Sequence, residues 1–336
     1  MSSVSAQVPR APADPLLDFV PRRWRSLQDP RRDLPKLARD PRATVRIERR
    51  LAELPTRHEL FLGDSRSIPQ LAPESIHLVV TSPPYWTLKE YPVSDGQLGW
   101  VTDYEDFLDQ LDKVWHRCYE ALVPGGRLVC VVGDVCLSRR RHGRHAVVPL
   151  HASIQERCRA VGFDNLAPII WHKIANATYE VAGSKGAFLG KPYEPNAVIK
   201  NDIEFILMQR KPGGYRRPTP AAKLLSLIPA DLHHRWFRQV WEGVGGASTR
   251  HHPAPYPLEV AERLIRMFSF AGDTVFDPFM GTATTQSAAA KWGRNSVGVE
   301  VEPEYFEASL ARMSSQAAHM FQQVEIVSHS GGVPSG

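Results

Sequence analysis

The most constraining feature of this 336-residue sequence is a regular alternation of short apolar runs with longer segments of helical periodicity. Strand-like runs lie at 58–62, 76–82, 127–134, 165–172, 203–209, 274–277 and 296–300, and helical patterns at 104–122, 147–160, 257–268, 282–291 and 303–315. Strands that alternate with helices predict an α/β fold with a mostly parallel, doubly wound sheet. In such a sheet, ligands bind beyond the carboxyl ends of the strands.

Composition narrows the class of protein. With 43% hydrophobic and 23% charged residues, the chain can bury a sizeable core. The sequence contains neither a run of about 18 apolar residues nor a signal-peptide pattern, so we expect no membrane association and a cytoplasmic location. The cysteines form no CxxC pair and predict buried free thiols; they are Cys118, Cys130, Cys136 and Cys158. His251 and His252 lack a third ligand nearby, so we expect no metal site.

Positive charge is concentrated in two segments. Residues 1–58 carry 13 Lys or Arg against 7 acidic residues, and residues 210–242 carry 7 against 2, although the net charge of the chain is only +5. Clustered cations gain affinity for nucleic acid by releasing its condensed counterions. The distribution therefore favours a polyanionic partner, with an ordinary solvated surface as the alternative.

The pattern also predicts how the chain is divided. Residues 1–57 are a basic arm rich in Pro and Arg with at most short helices, and 317–336 are a C-terminal tail. The catalytic and cofactor-binding halves of one domain occupy 58–172 and 246–316. Between them, residues 173–245 are rich in Gly, Pro, Arg and aromatic residues and predict a recognition insert.

A tight turn after the strand at 274–277 indicates a nucleoside site. Gly281 allows backbone N–H groups to approach a ligand, and Glu300 ends the next strand where it can accept hydrogen bonds from ribose hydroxyls. The turn is not GxGxxG, and Asp277 at the strand end would repel a pyrophosphate. A carboxylate there suits a cationic ligand without phosphates, such as S-adenosylmethionine.

The combination of TSPPYW at 81–86, HHPAPYP at 251–257, DPFMGT at 277–282 and GVEVEPEYF at 298–306 resembles the amino-methylating DNA methyltransferases, the N6-adenine/N4-cytosine DNA methylase family. The order of the motifs is that of its permuted beta class, in which the catalytic motif precedes the cofactor motif. The resemblance implies a Rossmann-like methyltransferase fold with a circularly permuted motif order, S-adenosyl-L-methionine as methyl donor, and double-stranded DNA as substrate.

Matching positions carry the family's cofactor contacts over to this sequence. The resemblance assigns to the cofactor site Asp64, His252, Pro253, Tyr256, Asp277, Pro278, Phe279, Gly281, Thr282 and Glu300. One position departs from the family's usual GSGTT turn: Ala283 replaces a glycine, which alanine can do if its φ is negative.

The prolyl corner suits methylation of an exocyclic amino group, whose lone pair is delocalised into the base. The Ser82 hydroxyl and the Pro83 carbonyl can accept the two amino hydrogens, and Pro83 and Pro84 hold these acceptors rigid. Tyr85 offers a flat face for an extruded base. The resemblance adds that Ser in the first position is typical of cytosine-N4 enzymes, whereas Asp is typical of adenine-N6 enzymes.

Three hypotheses follow. The first is a site-specific cytosine-N4 DNA methyltransferase, the second an adenine-N6 enzyme with the same fold, and the third a nucleic-acid-binding regulator without catalysis. DNA contacts are expected from Arg139, Arg140, Arg141, Arg144, Arg216, Arg217, Arg235 and Arg238. Whether the chain is a monomer or a homodimer, and whether a restriction endonuclease of the same specificity accompanies it, are left open.

Overall fold

The structure, a computed structural model, describes residues 14–26, 30–68, 71–86, 96–137, 139–173, 201–246, 256–320 and 322–329. Its strands are β1 (Thr56–Leu62), β2 (Ile76–Thr81), β3 (Leu122–Val132), β4 (Val135–Leu137), β5 (Ala146–Val148), β6 (Asp164–His172), β7 (Ile203–Arg210), β8 (Val240–Trp241), β9 (Thr274–Asp277), β10 (Asn295–Glu300) and β11 (Val324–His329). Its α-helices are α1 (Pro30–Ala38), α2 (Pro41–Leu51), α3 (Tyr104–Ala121), α4 (Arg139–His142), α5 (Leu150–Val161), α6 (Pro220–Leu225), α7 (Ala230–Trp236), α8 (Leu258–Phe268), α9 (Thr284–Lys291) and α10 (Pro303–Ala317).

One large sheet organises the described residues, in the order β11-β1-β10-β9-β2-β3-β7-β6-β8. Neighbouring strands pair in parallel from β11 to β3, and β7 pairs antiparallel with both β3 and β6. The expected α/β fold with a mostly parallel sheet is confirmed. Because β7 runs against its neighbours, its last residue, Arg210, lies at the amino end of β3, opposite Arg127.

The strand order reverses between β9 and β2. From β9 the chain proceeds through α9 to β10 on one side, and from β2 through α3 to β3 on the other. Such a reversal opens a crevice at the carboxyl ends of the two central strands, where open α/β sheets bind their ligands. These strands end at Thr81 and Asp277, which are the first residues of the TSPPYW and DPFMGT motifs.

Successive side chains of the central strands point to opposite faces of the sheet, and apolar side chains fill both faces. Val79 packs beneath α3 and α5 with Trp115 and Ile154, whereas Leu78 and Val80 face α8 and α9 on the other side. Burial on both faces explains why these strands read as continuous apolar runs. Cys118, Cys130 and Cys158 are buried free thiols, as expected, and Cys136 is half-buried.

The basic arm is more ordered than the sequence predicts. Its helix α2 spans eleven residues and buries Ala43, Ile47 and Leu51. These side chains pack against Leu224 and Leu225 of α6 in a cluster of their own. The amphipathic pattern is difficult to find in the sequence because arginines occupy most of the exposed positions, so the helix has a low mean hydropathy.

Two other predicted segments contribute to the sheet. Residues 324–329, within the expected tail, form β11 at the edge beside β1. Residues 203–210, within the expected recognition insert, form β7 between β3 and β6. The middle of the insert is therefore part of the core, and its candidate recognition elements are confined to the stretches on either side of β7.

Ala283 adopts a backbone conformation that favours glycine. Its φ is +61° and its ψ is +41°, in the left-handed region, so the negative φ expected for an alanine is not observed. An L-residue there is strained by about 1–2 kcal/mol. The methyl group is fully buried beside Leu60 and Met280, which offsets part of this strain.

We expect Ala283→Gly to change the free energy of unfolding by less than about 1 kcal/mol, because the relieved strain roughly balances the lost methyl burial and the greater flexibility of the unfolded chain. The matched control is Ala288→Gly, a fully buried alanine inside α9. That change should cost about 1–2 kcal/mol, because it loses helix propensity as well as packing. Equal destabilisation of the two variants in denaturant titrations would contradict the strained conformation.

Candidate functional site

The prolyl corner directly follows β2 at the reversal of the strand order. Ser82 is half-buried, whereas Pro83 and Pro84 are buried. The Ser82 hydroxyl lies 3.4 Å from the Tyr85 hydroxyl, and Ser82 and Pro84 both line a cleft. The corner thus places a hydroxyl group at the wall of the cleft, on a backbone that two prolines hold in an extended conformation.

The Asp277 carboxylate joins this corner to the neighbouring strand. It accepts hydrogen bonds from the hydroxyl of Thr81 at 2.7 Å and from that of Thr285 at 2.5 Å. The Phe279 amide donates a third, at 3.1 Å. Burial raises the pKa of Asp277 to about 6, against the opposing effect of these hydrogen bonds. Asp277 therefore lies behind the turn, bound to groups of the protein, and is absent from the described lining of the cleft.

The turn after Asp277 brings the ends of β9 and β10 together. The Met280 amide donates to the Val299 carbonyl, and Gly281, with a φ of +55°, donates its amide to Glu300. Pro278 and Phe279 line the cleft. Thr282 is half-buried, and its carbonyl accepts a hydrogen bond from Arg312 of α10. The predicted cofactor turn is thus assembled at the expected edge of the sheet.

Glu300 is the acidic group whose position best fits a ribose. Its oxygens accept backbone amides, among them those of Gly281 at 2.7 Å and Glu302 at 2.9 Å. A carboxylate oxygen has two lone pairs, so each oxygen retains capacity for a ligand hydroxyl. Burial raises the pKa of Glu300 to about 7, with a further contribution from the charge of Asp277.

The cleft itself encloses about 580 Å³, including its open mouth. Its lining residues come from the ends of four strands, the segment before α3 and the first turn of α10: Gly63, Asp64, Ser65, Ser82, Pro84, Gly96, Gln97, Leu98, Pro278, Phe279, Val299, Glu300, Val301 and Tyr305. A side chain at Gly63 would extend into open space. Among the described residues, the lining combines an apolar wall with carboxylates and includes no cation, which fits a nucleoside bearing positive charge better than a phosphorylated ligand.

Several residues of this site are not evident from the sequence. Arg66 holds the predicted residue Asp64 through its Nε, at 2.8 Å from Oδ2, and reaches Gln110 of α3 at 2.6 Å. Gly96 approaches the same carboxylate, since a Cβ there would lie 3.1 Å from Oδ2 of Asp64. Arg66 is adjacent to a predicted residue, but no sequence signal points to Gln110 or Gly96, because their proximity depends on how α3 packs.

Tyr85 is placed differently from its predicted stacking role. Its side chain is only 7% exposed and belongs to the core beneath α3. Trp86 packs edge-on against Tyr104, with ring centroids 5.0 Å apart, and has a φ of +45°. The structure therefore presents the phenol hydroxyl of Tyr85 beside Ser82, while its ring face is covered by protein.

The remaining predicted cofactor contacts, at positions 252, 253 and 256, lie partly outside the residues that the structure describes. His252 and Pro253 lie outside the described residues, as does the His251–His252 pair. Tyr256 is buried, and its hydroxyl bonds to Thr285, the same residue that donates to Asp277. It thus belongs to the hydrogen-bond network behind the turn. No group of three or more metal-ligating side chains occurs among the residues described.

The predicted DNA contacts separate into three places. Arg139, Arg140 and Arg144 are exposed, just past the carboxyl end of β3, and the side chain of Arg141 lies outside the described residues. Arg235 and Arg238 are exposed on and after α7.

Arg216 instead bonds Asp273 at 2.5 and 2.7 Å, directly before the amino end of β9. Arg216 and its neighbour Arg217 therefore lie at the edge of the sheet opposite Ser82. They reach this edge because β7 runs antiparallel and delivers the chain there. The ion pair with Asp273 engages the Arg216 guanidinium, whereas Arg217 is exposed, and both remain expected DNA contacts.

The fold is similar to solved methyltransferase structures. The crystal structure of TTHA0409, a putative DNA modification methylase from Thermus thermophilus complexed with S-adenosyl-L-methionine, is 50% identical and has a TM-score of 0.67; the match covers 82% of this chain and 100% of that one. PvuII DNA methyltransferase (cytosine-N4-specific) shares the fold at 18% identity and a TM-score of 0.56, covering 82% and 96% of the two chains. With the cleft described above, these findings identify the cofactor as S-adenosylmethionine.

We expect affinity for S-adenosylmethionine to fall as the pH decreases through about 7, because protonation of Glu300 removes an acceptor for ribose hydroxyls. Ligand binding should then release protons below about pH 7, since new hydrogen bonds favour the charged carboxylate. Titration calorimetry in buffers of different ionisation enthalpy measures both effects. Glu300→Gln should bind more weakly and lose most of the pH dependence. If Glu300→Gln kept the full pH dependence of the wild type, that dependence would come from the titration of another group, such as Asp277.

The family comparison agrees with the structural one. Residues 76–311 match the family model described as a DNA methylase, of the N6/N4 type. The type II methyltransferase M.MjaI of Methanocaldococcus jannaschii is 35% identical over 281 residues, which cover 74% of this chain and 89% of that protein. Among the residues described, no helix is both long and apolar enough to span a membrane. The chain belongs to the N6/N4 DNA methylase family and is an S-adenosylmethionine-dependent DNA methyltransferase.

Proposed function

We propose that this enzyme transfers the methyl group of S-adenosylmethionine to the exocyclic N4 of a cytosine that has been flipped out of duplex DNA, at a specific site and as part of restriction-modification or epigenetic marking. The observation that carries the proposal is the serine at position 82, whose hydroxyl borders the cleft shared with Glu300 and Phe279. An exocyclic amino group cannot be reached inside the duplex, so the base must leave the stack.

The chain's own groups can prepare a weak nucleophile. Bound S-adenosylmethionine supplies an electrophilic methyl group. In the proposed role, Ser82 Oγ and the Pro83 carbonyl accept the two amino hydrogens and direct the nitrogen lone pair toward the methyl. Pro83 and Pro84 keep these acceptors in place before substrate arrives, which reduces the ordering required at the reaction step. The amino group becomes acidic as the new bond forms, so its proton can leave without a strong base in the protein.

An ion pair beside the corner is well placed to line the base pocket. Lys173 lies 2.6 Å from Glu204, which is 8% exposed. A Cβ added at Gly133 would lie 3.4 Å from the Glu204 side chain and 3.7 Å from the Tyr85 ring. We propose that this pair borders the flipped base, with Tyr85 supplying its hydroxyl beside Ser82 more than a stacking face.

DNA is proposed to lie across the carboxyl edge of the sheet. Arg139 and Arg140 of α4 and Arg144 after it are exposed there, between β4 and β5, and cations at such positions hold phosphates without reading sequence. Arg235 on α7 and Arg238 after it are further exposed cations, and we propose that they also hold phosphates. Sequence readout is assigned to residues of 173–245 outside β7.

Adenine N6 is the second candidate target. A hydroxyl and a carbonyl could orient an adenine amino group by the same geometry, and the Lys173–Glu204 pair does not distinguish the bases by charge alone.

The test is to methylate plasmid DNA with the purified enzyme, digest it to nucleosides and identify the product by mass spectrometry. N4-methylcytosine is expected, and N6-methyladenine as the sole product would overturn the cytosine assignment.

We expect Ser82→Ala to lower the rate of methyl transfer by roughly 10²-fold, a loss typical of removing one oriented hydrogen-bonding group. Affinity for S-adenosylmethionine should change little, because Ser82 is proposed to contact the amino group of the base. Single-turnover kinetics and calorimetry separate the two quantities. The control is Ser75→Ala, a half-buried serine before the amino end of β2 whose hydroxyl donates to the Ala72 carbonyl. Parallel losses of rate and cofactor affinity in Ser82→Ala would count against its role as an acceptor.

A further inference from the structure

Helix α2 of the arm carries a row of arginines on its outer face. Arg42, Arg46 and Arg49 are all exposed and follow one another at i, i+4 and i+7, so they form one stripe along the helix. Within the described part of the chain, none of the three forms an ion pair or a side-chain hydrogen bond. We refer to Arg42, Arg46 and Arg49 as the arginine stripe.

The acidic residues around α2 are engaged elsewhere. Glu48 bonds Arg266 of α8 at 2.7 Å, and Glu53 pairs with Arg50. Asp40 accepts from two backbone amides at the start of the helix. These carboxylates therefore serve the docking and capping of the helix, and none of the described carboxylates pairs with the arginine stripe.

The stripe is held on a rigid support. The opposite face of α2 buries Ala43, Ile47 and Leu51 against α6, whose residues belong to the second basic segment of the sequence. The arm and residues 210–242, which are distant along the chain, thus form one unit. On its α6 side this unit adds two exposed cations, Arg217 and Lys223, for which the described chain shows no ion pair.

This unit lies at the edge of the sheet opposite the prolyl corner. The Leu51 side chain lies against Gly293, just before the amino end of β10. Ser82, in contrast, follows the carboxyl end of β2. Strands of six residues separate the two edges by about 20 Å. A duplex that inserts a base at Ser82 therefore lies on the other side of the molecule from the stripe, because duplex DNA resists bending over such short lengths.

We propose that the arginine stripe binds the phosphate backbone of a second segment of duplex DNA, distinct from the segment that is methylated. From Arg42 to Arg49 the helix rises about 10.5 Å, so the stripe presents three guanidinium groups along a line long enough to meet neighbouring phosphates of one strand. Exposed cations on a regular scaffold, without contacts to base edges, bind DNA independently of its sequence. Such a contact tethers the enzyme to one DNA segment while it acts on another, which raises the local concentration of target sites.

The test uses the full-length protein and a bridging assay. One duplex is fixed to beads, a fluorescent duplex is in solution, and the fluorescence retained by the enzyme is measured. The stripe variant is R42Q/R46Q/R49Q. The matched control, R57Q/R117Q/R159Q, removes the same charge from exposed arginines that are paired with Glu325, Glu120 and Glu156. We expect the stripe variant to lose bridging at least about tenfold and the control to keep it.

A second measurement determines, as a function of salt concentration, the affinity for a single duplex that lacks the recognition sequence. The slope of log affinity against log salt should become shallower by about 2–3 in the stripe variant, one unit for each lost phosphate contact, if the stripe engages that duplex. Unchanged circular dichroism and S-adenosylmethionine binding show that the variant is folded.

Bridging at the wild-type level by the stripe variant would overturn the proposal, as would a dimer that bridges through its two catalytic surfaces. Stripe-dependent binding of single-stranded RNA with no effect on duplex DNA would overturn it as well. The assay contains no methyl transfer, so an adenine product would refute the cytosine assignment and leave this result unaffected.

Discussion

The buried carboxylate of Asp277 connects the parts on which the site depends. Its hydrogen bonds from Thr81 and Thr285 join the catalytic strand β2, the cofactor strand β9 and the start of α9. A buried carboxylate with three donors is well satisfied, and removing one donor would leave one of its acceptor sites without a partner at a cost in stability. Because Thr81 directly precedes Ser82, the same interaction positions the prolyl corner relative to the turn that leads to Glu300.

The two edges of the sheet have different roles. At the carboxyl edge, the chain leaves β1, β2, β9 and β10 in turns that line one cleft with carboxylates and a hydroxyl group. At the amino edge, α2 and α6 form a separate small core covered by arginines. The antiparallel direction of β7 produces this division, because it carries the chain from the catalytic edge to the opposite one within eight residues.

The accuracy of the sequence predictions depended on how local each signal was. The long strands of the sheet and the helices α3, α5, α8, α9 and α10 were predicted close to their observed bounds, because burial leaves apolar runs or apolar stripes in the sequence. The short elements β4, α4, β5, α6, α7 and β8 were not predicted, because so few residues carry no clear periodicity. Helix α2 was underestimated, because its polar face is almost entirely arginine and its stabilising contacts come from α6, far along the chain. For the same reason, the pairing of Arg216 with Asp273 was not visible, and Arg216 was expected at the DNA.

By itself, the sequence determined the α/β class, the motif-bearing turns and the chemistry of the groups in them, because short-range periodicity and residue type are enough to specify these. The tertiary structure alone decided which of those groups meet. It placed Asp277 and Tyr256 behind the turn, turned the ring of Tyr85 into the core, and gathered two basic segments on the face away from Ser82. Whether a side chain is buried, and in which direction it points, depends on the packing of distant strands and helices. That packing is not encoded in any single stretch of the chain.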